Sequence, residues 1–70
     1  MIDDWKICYS VLMPDGSHLN PKEPFLVAHI NGKTEDEAIA NLKNEFIGLE
    51  VKTFGKPVHT FIYEDEYENN

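Results

Sequence analysis

The sequence predicts a small α+β domain, an antiparallel sheet of 3–4 strands with one helix packed on one face, in the order β-β-α-β-β. Three observations carry that expectation. Apolar residues alternate along Trp5 to Met13, Thr34 to Glu37 has the spacing of a helix N-terminus, and two strand-like runs follow on either side of Gly55-Lys56.

Trp5, Ile7, Tyr9, Val11 and Met13 alternate with Lys6, Cys8, Ser10 and Leu12, which is the period of two of a strand with one buried face. Pro14-Asp15-Gly16 supplies turn chemistry, with Pro preset for an early turn position and Gly free to take positive φ. Residues 17–24 carry Pro21 and Pro24 without periodicity, so they read as a loop with room for a short return strand. Phe25 to Asn31 reads as a second strand with few polar interruptions, stopped by Asn31-Gly32. Thr34 is the expected N-cap, Glu37 completes a capping-box spacing, and Glu35 and Asp36 add negative charge at the positive end of the helix dipole. Ala38, Ile39, Leu42 and Phe46 form one apolar stripe with Ile47 at its edge, and Gly48 is placed to close the helix. Leu49 to Phe54 reads as a third strand, Gly55-Lys56 as a tight turn and Pro57 to Tyr63 as a fourth strand, with Pro57 at its start or on an edge because it has no N–H to donate. The domain is expected over residues 1–63, and residues 64–70 form an acidic tail.

A single helix covers one side of a sheet. The opposite side takes Cys8 and Leu12 from the first strand, with either Phe25, Val27 and His29 or Leu26, Ala28 and Ile30 from the second. Either set leaves apolar surface with no intrachain cover, which is a reason to expect a homodimer or a partner.

Composition narrows the classes. Seventy residues make one domain, near the lower size at which a hydrophobic core holds a fold unaided. A content of 41% apolar and 27% charged residues is that of a globular chain, not a disordered one. Cys8 is the one cysteine, so internal disulfides, zinc fingers and a redox CxxC are excluded, and a reduced, cytoplasmic setting is expected. Apolar runs such as Phe25 to Ala28 fall far short of the roughly 20 residues that cross a bilayer. The start, Met1-Ile2-Asp3-Asp4-Trp5, is acidic where a signal peptide is basic and then apolar, so no membrane association is expected. Thirteen acids against six lysines, no arginine and a net charge of −7 argue against direct binding to nucleic acid.

Catalytic signals are weak. No two of His18, His29 and His59 have metal-ligand spacing, so no metal or other cofactor is expected. His18 near Asp15 is a place for a general base, but no nucleophile is specified beside it. Cys8, alone in a strand, reads as a small buried hydrophobe. The four glycines stand singly, so there is no phosphate-cradling loop. Asp3-Asp4 and Glu35-Asp36-Glu37 read as solvent-facing acids with nothing to set their pKa values apart. No catalytic residue is assigned, and the chain is not expected to be an enzyme.

The acids at the C-terminus carry more. Glu64, Asp65, Glu66 and Glu68, with Tyr63, Tyr67 and Trp5 as aromatic anchors, combine negative charge and hot-spot side chains suited to a basic surface. A second pointer comes from Phe25 to Phe46, where a strand, Gly32-Lys33-Thr34 and Glu37-Ala38-Ile39-Ala40-Asn41 follow one another. That segment, about a third of the chain, resembles the strand-to-helix junction of HicB-type antitoxins, in which a G-x-T-x-x-E-A run opens the helix of a small, partly degraded ribonuclease-H-like domain. The resemblance implies a non-catalytic domain that neutralises a toxin by binding it. The long, proline-bearing first loop departs from the family pattern, and no DNA-binding segment follows. The expected function is a non-enzymatic interaction module that binds, and thereby can inhibit, a protein with a basic, nucleic-acid-binding surface, in the manner of phage or mobile-element anti-defence proteins. The alternative is a structural or regulatory subunit, or an antitoxin-like domain, that assembles through its uncovered sheet face.

Overall fold

The structure, a computed structural model, describes residues 1–62. Strand β1 (Ile2–Leu12), strand β2 (Leu26–Asn31), helix α1 (Glu35–Asn44) and strand β3 (Glu50–Ile62) follow in chain order. The strands form one antiparallel sheet in the order β2-β1-β3, and α1 packs across one of its faces. The α+β class is as expected, but the order is β-β-α-β with three strands, because the two runs expected after the helix are one strand of 13 residues.

That correction has a clear physical cause. β1 begins at Ile2, ahead of the alternation that starts at Trp5, and its 11 residues offer a pairing edge along their whole length. β3 follows that edge from Leu12↔Glu50 to Cys8↔Phe54 and resumes from Lys6↔Val58 to Ile2↔Ile62. A hairpin at Gly55-Lys56 would instead strip half of this edge of partners and leave its backbone groups unpaired. Gly55 and Pro57 therefore serve a bulge, Gly55 at φ +68 and Pro57 on an edge strand where a missing N–H is tolerated.

Between β1 and β2 the chain turns where Pro14 and Gly16 predict. Gly16 N–H donates to the Met13 carbonyl, and Gly16 takes φ +88. The Asp15 carboxylate accepts from the Ser17 hydroxyl at 2.6 Å and the Ser17 amide at 2.9 Å, and these bonds hold its carboxyl below the usual range. The short return element is present as a single bridge, Leu12↔His18.

Thr34 caps α1, its hydroxyl accepting from the Glu37 amide at 3.1 Å. The helix ends at Asn44, earlier than Gly48 suggests. Gly48, at φ +88, sits instead in the turn closed by Leu49 N–H on the Phe46 carbonyl, which leads into β3. Ala38 and Leu42 are buried, with Ile39 and Phe46 half-buried beside them, as the stripe predicts. They meet Ile7, Tyr9 and Val11 of β1 and Val51 of β3, and these six buried residues are the core of the described chain. Tyr9 lies against Phe46, ring centres 5.9 Å apart, and burial together with the nearby Glu45 charge raises its hydroxyl pKa above the ordinary value.

Candidate functional site

Strand alternation sorts the sheet into two unlike faces. Trp5, Ile7, Tyr9 and Val11 point toward α1, so Asp4, Lys6, Cys8 and Ser10 belong to the open face. Pairing extends that face in rows: Cys8 lies between Val27 and Phe54, Lys6 between His29 and Val58, and Asp4 between Asn31 and Thr60. Of the two parities left open for the second strand, Val27 and His29 are the ones on this face.

One end of the open face is apolar. Phe25, Val27, Phe54 and Val58 are 70%, 55%, 43% and 54% exposed, values that make this a surface and not a core. Phe25 stands edge-on to Phe54 with ring centres 5.5 Å apart, and His18 lies 6.3 Å from Phe25. Cys8, expected as a buried hydrophobe, is exposed in the middle of this patch. Alternation puts it on the side that the helix does not reach. Among the described residues no hydrogen bond joins Cys8 to a histidine.

The other end is polar. Asp4 and Asp3, expected as a solvent-facing pair, lie on opposite faces of β1, and the Asp4 side chain is only 2% exposed. His29 Nδ1 donates to Asp4 Oδ2 at 2.7 Å, and the Thr60 hydroxyl donates to the same oxygen at a long 3.4 Å. A carboxylate can only accept, so the His29 proton sits on Nδ1 and Nε2 is left for the surface. Asp4 Oδ1 is buried with no hydrogen-bond partner. An orphaned carboxylate oxygen costs stability, and an apolar side chain of similar shape avoids that cost. Asp4→Leu is therefore expected to match or exceed the wild type in urea denaturation. His29→Ala leaves the carboxylate without its short bond and is expected to lose about 1–3 kcal/mol. The reverse order of the two variants would mean that the carboxylate contributes net stability.

A second Asp–His pair sits on the helix side. His59 Nε2 donates to Asp3 Oδ1 at 2.9 Å, and its ring stacks on Trp5 at 4.3 Å and 14° and lies 4.7 Å from Phe61. Trp5, expected as a partner-binding anchor, is half-buried there, with its indole N–H donating to the Gly32 carbonyl at 2.7 Å. Tyr63, Glu64, Asp65, Glu66, Tyr67 and Glu68, the rest of the expected partner-binding set, lie outside the described residues. The structure thus adds Phe25, Val27, Phe54 and Val58 as candidate contact residues. Their signal in the sequence was the lack of a second covering element, and only the register shows which parity it exposes.

The hollows among the described residues are shallow. That between the starts of β1 and α1, about 290 Å³, is lined by Asp3, Asn31, Gly32, Lys33, Glu37 and Asn41 among others and includes no histidine or cysteine. Among the described residues, no group of three or more His, Cys, Asp or Glu side chains is placed to hold a metal ion, and no helix is long and apolar enough to cross a membrane. Comparison with known proteins finds no matching family model, no similar curated protein and no similar solved structure. The likeness to HicB-type antitoxins therefore remains a matter of the residues at the β2–α1 junction.

Proposed function

We propose that this chain is a non-enzymatic protein-interaction module that engages a protein through its open sheet face. The observation that supports this best is the exposed apolar patch of Phe25, Val27, Cys8 and Phe54, with Val58 in the next row beside Lys6, which no element of the described chain covers. Apolar side chains grouped in this way are a feature of contact surfaces, whereas scattered ones are ordinary.

A second reading rests on charge. The net charge of −7 and the exposed acids of the helix side, Asp36, Glu37 and Glu45, suit a partner with a basic, nucleic-acid-binding surface, and residues 64–68 add to that charge. Binding there would block the partner's own ligand by occupying its basic surface.

Capture from host lysate at low and moderate salt separates the two. A partner lost by Phe54→Glu and kept by a chain lacking residues 64–70 supports the open face. A salt-sensitive partner lost on truncation and kept by Phe54→Glu supports the acidic side. If neither change alters what is captured, the interaction-module reading fails.

A further inference from the structure

We propose that the occupant of the open sheet face is a second copy of this chain, two sheets packing face to face about a twofold axis beside Cys8 with the two helices outermost. The inference rests on the reading of that face as an interaction surface, and it names the partner.

Charge is the first argument. The chain carries −7, so two copies repel over most approaches. On the open face the paired charged side chains are Asp4, Lys6, Glu50 and Lys52, with Lys56 in the bulge between Phe54 and Val58, so this face lacks the acidic excess of the whole chain, and Asp4 is already engaged by His29. The acids of the helix side face away. A like-charged copy therefore meets least resistance at this face, while a strongly basic partner is drawn to the other side of the molecule.

Size and shape agree. With 11 residues in β1, strand rise and spacing give β1 and β3 a face roughly 36 Å long and about 10 Å wide, which β2, with 6 residues, widens by about 5 Å over roughly 20 Å. Two such faces bury at most about 900 Å², just under the area of a stable specific interface, so a weak dimer that dissociates on dilution is expected. Edge-to-edge pairing is the competing arrangement. The β3 edge is interrupted by the Gly55-Lys56-Pro57 bulge, and β2 offers only 6 residues.

Symmetry supplies the position of the axis. An isologous contact must match itself, and the row Val27, Cys8, Phe54 is apolar across all three strands with Cys8 at its centre. An axis along that row sets Val27 on Val27 and Phe54 on Phe54. Packed sheets lie about 10 Å apart, beyond the roughly 4.4–6.8 Å between Cα atoms that a disulfide spans. The two Cys8 thiols are thus within reach of a short flexible linker but not of each other.

Sedimentation equilibrium over a concentration series, with bismaleimide crosslinking at Cys8, tests this. The wild type is expected to approach twice its 8.1 kDa chain mass and to be joined at Cys8. Val27→Glu and Phe54→Glu are each expected to weaken self-association by about tenfold or more and to abolish the crosslink. Both positions are outside the core, and circular dichroism with Trp5 fluorescence checks that the variants stay folded; should either unfold, the wild-type crosslink still decides. A chain that is monomeric throughout, or a dimer that is indifferent to both substitutions and unlinked at Cys8, overturns the inference. If the monomeric chain captures another protein that Phe54→Glu loses, the second copy is wrong and the reading of the face stands.

Discussion

Leu42→Ala is expected to cost about 2–5 kcal/mol, read as a fall in the urea midpoint at constant slope. Leu42 is fully buried, and with Ala38 it is one of only two helix residues in the six-residue core. Truncation leaves a void where the helix meets β1, and a core this small has few neighbours able to fill it. A domain of this length holds roughly 4–10 kcal/mol in total, so the variant is left near the edge of folding. Ile39→Ala, at a half-buried position, should cost clearly less. Equal losses at the two sites would mean that the helix is held by its whole apolar stripe and not by Leu42. Because self-association adds to stability by mass action, both variants need comparison at one chain concentration.

Gly32→Ala has the next largest expected effect. A Cβ there would lie 2.7 Å from the Ala38 nitrogen and 2.9 Å from its Cα, and both are backbone atoms that cannot swing aside. The glycine is needed for close approach, since β2 ends directly against the first turn of α1. Relief requires the helix start to move off the sheet, at a cost of about 1–3 kcal/mol. The Gly32 carbonyl also accepts the Trp5 indole N–H, so the same shift should change the emission of the single tryptophan in the native state. A stable variant with unaltered Trp5 emission would show that the junction tolerates a methyl group.

These two sites also mark what can be read from local pattern. The Thr34 cap, the Ala38–Leu42 stripe and the burial of Ile7, Tyr9 and Val11 follow from spacing alone, because capping and alternation act over a few residues. Gly32 was legible only as a stop. Its contact with Ala38 depends on how the helix lies on the sheet. Gly55-Lys56-Pro57 carries the chemistry of a turn, and nothing local reveals that the long edge of β1 lies waiting for a continuous partner. The polar sites escape for the same reason. His29 and Asp4 are 25 residues apart and His59 and Asp3 are 56 apart, so neither pair exists until the register is known. The open face occupies an intermediate place. One helix cannot cover two sides, which is evident from the element count, while the choice between Val27 and Ala28 as its surface residue is settled by pairing.

The bulge in β3 has a consequence for how this chain can change its length. Cys8↔Phe54 and Lys6↔Val58 set two residues of β1 against four of β3, so the surplus is two, an even number. Even insertions leave the facing of every later residue untouched, and Val58, Thr60 and Ile62 stay on the side they would hold in an uninterrupted strand. Losing one residue here would leave a surplus of one, the ordinary bulge in which two residues share one partner and one face, so the pairing from Lys6↔Val58 to Ile2↔Ile62 tolerates a change of length at this point.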